Sequence, residues 1–187
     1  MPPCRDIVEC EERIRCKEYE VAYIFLDHHT LLKGGITQRY IFGVGFSEEE
    51  FALMQNNILT HNHTGEYTNS FSLGDVAKAA EANLKEIRIA GKRFTYSLAP
   101  GDRGWPPPDA IRAKYREIEG DYGFYLHARI AFLGIASCEQ IPPDAGSRFF
   151  NHLIWERLAR EMGLRYLREP WPRRLTDSGM QRLKECI

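Results

Sequence analysis

A proline-rich connector constrains the fold of this chain more than any other sequence feature. It spans residues 99–108 and reads APGDRGWPPP. Because proline fixes φ and lacks a backbone donor, neither a helix nor a central strand can continue through this segment. We therefore expect one domain over residues 1–100. Residues 101–187 would form the connector and a helical extension packed on that domain.

Short strand patterns alternate with helical patterns before the connector. Runs rich in β-branched and aromatic residues predict strands, whereas capping residues and apolar residues at helical spacing predict helices. This alternation predicts an α+β (α/β-like) fold. The predicted strands cover residues 20–26, 38–46, 57–61, 87–90 and 93–98, and the predicted helices cover residues 5–17, 47–55 and 72–87.

The sequence beyond the connector is mainly helical. We expect helices over residues 109–119, 122–136 and 146–162, with Gly123 as a weak point in the second. Residues 164–171 fit a short strand or an extended tail equally well.

Charge and hydropathy exclude several classes of protein. The 187 residues contain 25 Lys and Arg against 26 Asp and Glu, so the excess of cations typical of nucleic-acid binders is missing. The longest strongly apolar run, residues 21–26, is far shorter than the roughly 20 residues that span a bilayer. The first residues, MPPCRDIVECEER, lack the apolar core of a signal peptide. We expect a soluble, cytoplasmic protein with neither a nucleic-acid nor a membrane partner.

The cysteines indicate neither a disulfide framework nor a zinc ribbon. The count is five, and no two cysteines form a C-x-x-C pair. We therefore expect free thiols in a reducing compartment. The positions are Cys4, Cys10, Cys16, Cys138 and Cys186.

The residues that predict chemistry lie between a strand and a helix. His61 and His63 are two apart at a strand end, so their imidazoles project to the same side. Asp75 falls in the first turn of the next helix, after a loop long enough to return its carboxylate to the histidine pair. Two histidines and one carboxylate leave one zinc position open, as in catalytic zinc sites. The pattern predicts a Zn²⁺ centre.

Each half of this pattern has a simpler interpretation. An isolated H-x-H is often a pair of exposed surface histidines that bind no metal. Ser72 with Asp75 also makes an ordinary helix N-cap that needs no metal. The combination, at this spacing and between these two elements, favours the metal site.

The ordered residues resemble the JAMM motif of the JAB/MPN metallopeptidases, which consists of an upstream Glu, H-x-H, a short loop and S-x-x-D. The resemblance implies the mixed sheet of that family. It also implies zinc ligation by His61, His63 and Asp75, and support of the tetrahedral intermediate by Ser72.

The resemblance further implies an upstream glutamate that moves the proton of the attacking water. Glu20, at the head of EVAYIFL, is the matching residue, and Glu18, one pleat earlier, is the alternative. The chain departs from the usual motif by one extra residue between His63 and Ser72, and by Thr64 where many members have proline. The resemblance covers residues 5–100 and does not explain the extension.

The resemblance implies a metallopeptidase acting on a peptide or isopeptide bond in a protein or peptide substrate, with a ubiquitin-like protein as one candidate. One rival is a non-catalytic structural or interaction module of a phage or mobile element, and another is a toxin or effector domain with the same fold. A metal-dependent nuclease is a lesser alternative, because the three consecutive letters HNH do not match the spread motif of HNH nucleases. The sequence leaves the bond type and the oligomeric state open.

Overall fold

The computed structural model describes residues 4–37, 44–64, 70–133 and 145–171. Within them, six strands form one mixed sheet with five helices, which confirms the predicted α+β class. The elements in chain order are α1 (Ile7–Ile14), β1 (Val21–Asp27), β2 (Thr30–Thr37), α2 (Glu48–Met54), β3 (Ile58–Asn62), α3 (Leu73–Glu81), β4 (Glu86–Ala90), β5 (Phe94–Ala99), α4 (Pro108–Leu133), α5 (Ala145–Met162) and β6 (Arg165–Pro170).

The strand order places β3 in the interior of the sheet. The order is β2-β1-β3-β4-β5-β6, and β3 pairs antiparallel with β1 and parallel with β4. A parallel pair needs a crossover, which α3 provides. The end of β3 therefore lies close to the start of α3.

The two faces of β3 contact different layers. Leu59 belongs to the main core beneath α3, α4 and α5, whereas Ile58 packs with Ile7 and Cys10 of α1 on the opposite face. Strand side chains alternate between the two faces of a sheet. The His61 side chain therefore lies on the same face as that of Leu59, and the Thr60 side chain on the same face as that of Ile58.

The extension beyond the connector packs into this core and adds a strand. Tyr115 of α4 and Trp155 of α5 lie in the main core, with ring centroids 4.9 Å apart. β6 pairs antiparallel with β5, so residues 165–170 are a strand rather than a tail. α4 runs through Gly123 without a break, where two helices were predicted. No helix in the described parts of the chain has the length and apolar character needed to cross a membrane.

The structure corrects several predicted elements. β2 was not predicted, yet in the structure Gly34 and Gly35 lie inside this strand, which has an irregular register against β1. A Cβ on Gly34 would lie 2.7 Å from Tyr23 Cδ1, so tight contact with β1 requires a glycine there. Of the strand predicted over residues 38–46, residues 38–43 lie outside the described part, and residues 44–46 belong to no strand.

The helix that follows Ser72 is shorter than predicted. It ends at Glu81 rather than continuing to residue 87, and Asn83 adopts a left-handed φ of 48°. Asparagine tolerates this conformation better than most residues, so the chain can leave the helix and enter β4.

The prediction of free thiols is wrong for Cys4 and Cys10, which form a disulfide with a Cα–Cα distance of 5.4 Å. Asp6 caps α1, so residue 4 lies just before the helix and can reach residue 10 in it. This proximity depends on where the helix starts, which the cysteine spacing does not reveal.

Candidate metal centre

Three polar side chains predicted as ligands converge at the end of β3. His61 Nε2 lies 3.0 Å from His63 Nε2 and 3.4 Å from Asp75 Oδ1, and His63 Nε2 lies 3.1 Å from Asp75 Oδ2. The potential ligand atoms all lie within 4.8 Å of one another. Both histidine side chains are 6% exposed and the aspartate is 21% exposed, so the group is largely shielded from water.

Asp75 is held in place by the cap of α3. Ser72 Oγ accepts a hydrogen bond from the Asp75 backbone N–H at 3.1 Å, and Asp75 Oδ2 accepts one from the Ser72 backbone N–H at 2.7 Å. This reciprocal capping box restricts the rotamer of the carboxylate. The capping and ligand interpretations of S-x-x-D are therefore compatible, because the cap directs the same carboxylate toward the histidines.

The electrostatics of the cluster favour a proton or a metal ion between its nitrogen and oxygen atoms. Burial raises the pKa of the Asp75 carboxyl, but the charges of and hydrogen bonds from His61 and His63 outweigh it and hold that pKa well below its usual range. Two neutral imidazoles with facing Nε2 lone pairs would repel each other, as would a lone pair facing a carboxylate. The geometry therefore needs a proton or a metal ion at this point.

The donor set fits a zinc ion. Both histidines direct Nε2 inward, and neutral imidazole and carboxylate are ordinary zinc ligands that leave a fourth position open. His61 Nδ1 is buried and has no hydrogen-bond partner among the described residues, so its ring is oriented by packing and not by a second hydrogen bond.

A cavity of about 290 Å³ opens beside the three ligand candidates. Glu20 and Ser72, the two predicted catalytic residues, line it. The remaining lining residues are Val44, Phe46, Leu59, Gly74 and Lys78.

The strand register explains the position of Glu20. β1 pairs Ala22 with His61, so residue 20 falls opposite residue 63, and paired residues share a face of the sheet. Glu20 lies one residue before β1 rather than inside it. Glu18 is exposed in a bend and does not line the cavity. Of the two glutamates, only Glu20 lines the cavity.

Asn62, between the histidines, is a residue that sequence reasoning missed. Its Oδ1 accepts a hydrogen bond from Val21 N–H at 2.7 Å, and its Nδ2 donates to the carbonyl oxygen of Tyr19 at 3.1 Å. These bonds hold the backbone on both sides of Glu20. The letters H-N-H contained the residue, but its backbone partners lie about 40 positions away along the chain.

The extension also contacts the site segment. Trp155 Nε1 donates to the carbonyl oxygen of Phe71 at 2.7 Å, and Asn151 Nδ2 donates to the same oxygen at 3.2 Å. Phe71 immediately precedes Ser72, so α5 fixes the backbone from which the α3 cap begins. No sequence motif marked this contact.

Comparisons with protein-family models, with curated proteins and with solved structures found no match for this chain.

Proposed function

We propose that this chain is a zinc-dependent metallopeptidase of JAMM type, related to the JAB/MPN family, which hydrolyses a peptide or isopeptide bond. The observation that supports the proposal is the convergence of two imidazole nitrogens and a carboxylate within 4.8 Å, beside a cavity lined by Glu20. Its substrate would be a protein or peptide, with the tail of a ubiquitin-like protein as one candidate.

His61, His63 and Asp75 would hold the ion. A bound Zn²⁺ would act as a Lewis acid and bring the pKa of a water near 7. Glu20 would accept the proton of the attacking water and return it to the leaving amine. Ser72 Oγ already accepts a hydrogen bond from Asp75 N–H, so its own proton is available for the developing oxyanion.

The cytoplasmic location expected from the sequence stays a proposal. The Cys4–Cys10 bridge is the observation against it, since disulfides persist mainly in oxidising compartments. Cell fractionation, with thiol labelling of the recovered protein, tests the location.

A non-catalytic module is the second candidate. The 3.1 Å contact between His63 Nε2 and Asp75 Oδ2 is also the geometry of a proton-bridged His-Asp pair, which would serve only stability. In that case the cluster would contain a proton in place of a metal ion.

Metal analysis separates the two candidates. Protein purified without chelator should contain one zinc per chain, and His61→Ala should contain almost none. His29→Ala is the matched control, because His29 is exposed and does not line the cavity, and it should keep its zinc. Equal and negligible zinc in all three proteins would contradict the proposed function.

A second experiment tests catalysis once zinc is found. Glu20→Gln should retain zinc but lose hydrolysis of peptide-linked and isopeptide-linked protein conjugates, because an amide cannot accept the proton. Glu18→Gln should keep both zinc and activity. A wild-type protein that binds zinc and cleaves none of these conjugates would instead support the non-catalytic module.

A further inference from the structure

A lysine inside the candidate site has no role in the proposed chemistry. Lys78 lines the cavity and lies three residues after Asp75 on α3. Residues three apart on a helix share a face, with Cβ atoms about 5–6 Å apart. The ammonium is therefore within a side chain's reach of the ligand cluster.

The charge of Lys78 is not neutralised by a neighbour in the described structure. Its Nζ lies 4.9 Å from the centroid of the Phe46 ring, and no described carboxylate forms an ion pair with it. Val44, Phe46 and Leu59 give the cavity apolar walls. A cation–π contact on a half-buried lysine orients the ammonium without neutralising it.

The charges of the site change when a divalent cation is bound. Glu20 and Asp75 are the acidic residues of the lining, and the ion would offset both of their charges. Lys78 then leaves the cavity with a surplus positive charge, in a partly dehydrated place where an anion is attracted more strongly than at an open surface.

We propose that Lys78 binds a carboxylate of the substrate, adjacent to the bond that is cleaved. This inference rests on the proposed function and names the substrate class for it, a chain with a carboxylate next to the scissile bond. A single ammonium carries one positive charge, which matches a carboxylate more closely than a phosphate group with a charge of about −1.5 to −2. Lys78 also lies in the last turn of α3, away from its N-terminal N–H groups.

The carboxylate has two possible sources, the free C-terminus of the substrate or an acidic side chain. Four hydroxamate probes separate them, each with a zinc-binding hydroxamate joined through a malonyl unit to one residue. That residue is alanine with a free carboxylate, alanine amide, aspartate amide or asparagine amide. Dissociation constants would be measured by calorimetry on the zinc-loaded full chain.

The wild type should bind one carboxylate probe about fivefold more tightly than its neutral partner, as for a partly shielded ion pair. Lys78→Gln should abolish that difference while leaving binding of the neutral probes unchanged. Lys78→Arg should preserve it in part, and Lys33→Gln, which removes an exposed lysine outside the cavity, should preserve it fully. A larger affinity difference between the two alanine probes would identify a free C-terminus as the source of the carboxylate. A larger difference between the aspartate and asparagine probes would identify an acidic side chain.

Two outcomes would overturn the inference while leaving the proposed function intact. The first is equal binding of carboxylate and amide probes by zinc-loaded wild type. The second is equal weakening of all four probes by Lys78→Gln, which would mean that the lysine acts on the hydroxamate group itself. Failure of wild type to bind zinc would instead overturn the proposed function, and this inference with it.

Discussion

Two buried polar clusters lie on opposite faces of β3, and their hydrogen bonding differs. On the α1 face, Glu11 accepts from Arg88 at 2.6 and 3.1 Å and from Thr60 Oγ1 at 2.9 Å. On the other face, the His61, His63 and Asp75 cluster brings three potential acceptors together. A cluster in which donors match acceptors stabilises a fold, whereas converging acceptors need a cation or a proton.

The α1-face cluster continues to the surface through Glu86. This carboxylate accepts from Arg88 at 2.8 Å, and from Ser97 and His28. Burial lowers the pKa of Arg88, but Glu11 and Glu86 outweigh it and raise that pKa above its usual range. The ion pair between Glu11 and Arg88 joins α1 to the sheet. The following predictions test whether one cluster is structural and the other functional.

The largest expected effect is on the α1 face. Arg88→Met leaves Glu11, whose side chain is 1% exposed, without its cation, which should cost about 3–5 kcal/mol of unfolding free energy. Denaturant titration measures the loss. Arg157→Met, which removes solvent-accessible ion pairs with Asp121 and Glu161, should cost no more than about 1 kcal/mol.

A double variant guards against a trivial folding failure in this test. Arg88→Met combined with Glu11→Leu removes both charges and should recover part of the loss. If the double variant is less stable than Arg88→Met alone, the cluster is not held by this ion pair.

Zinc removal should have the next largest effect on stability. This effect should depend on the His61, His63 and Asp75 cluster and not on the α1-face cluster. At free zinc a hundred times its dissociation constant, binding contributes about 2.7 kcal/mol, so a chelator should lower wild-type stability by this amount. His63→Ala should show no chelator dependence, and Arg88→Met should show the same chelator-dependent loss as wild type. Equal chelator effects on wild type and His63→Ala would mean that zinc acts elsewhere.

A smaller effect on stability is expected from a change at Asn62, which lies in β3 between the two histidines. Asn62→Ala leaves Val21 N–H and Tyr19 C=O without their partner, at a cost of about 1–3 kcal/mol. Because these bonds flank Glu20 rather than the ligands, zinc content should stay at wild-type level while hydrolysis falls. Asn57→Ala, which removes a hydrogen bond to the carbonyl oxygen of Leu53 at a partly exposed position outside the cavity, is the control and should keep activity. Loss of zinc in Asn62→Ala would place Asn62 in the support of the ligands instead.

The smallest expected effect is on the pH dependence of stability, through Glu86 in the α1-face cluster. Burial raises the pKa of Glu86, but Ser97, Arg88 and His28 outweigh it and hold that pKa below its ordinary value of 4.5. A carboxyl with a lowered folded-state pKa stabilises the fold above about pH 4.5, and this contribution disappears as pH falls through the folded-state pKa. Glu86→Gln should therefore show a shallower fall in stability than wild type below pH 4.5, measured by urea unfolding at several pH values. Identical slopes would contradict the role of Glu86.

Local signals predicted the framework of the site well. Ser47 and Ser72 cap helices through contacts within three residues, so the starts of α2 and α3 could be derived from the sequence. The two-residue spacing of His61 and His63 likewise places both rings on one face of a strand. These inferences need no knowledge of distant residues.

Long-range contacts explain what sequence reasoning missed. β2 depends on close packing of Gly34 against Tyr23, and β6 on pairing with β5 some 70 residues earlier. Asn62 and Lys78 were missed because their contacts are with residues distant in sequence. Asn62 hydrogen-bonds to the segment around Glu20, and Lys78 lies against Phe46 in the cavity wall. Sequence patterns report the neighbours of a residue along the chain, and none of these partners is such a neighbour.

The sequence by itself determined the α+β class, the helix caps and the order of residues that predicts a metal centre, because each depends on spacing within a single element or loop. The tertiary structure alone decided that three ligand candidates meet within 4.8 Å and that Glu20 rather than Glu18 lines the cavity. It also decided that α5 anchors Phe71 beside the site. The physical reason is that the strand register and the packing of α3 and α5 on the sheet set distances between residues that local preferences leave undetermined.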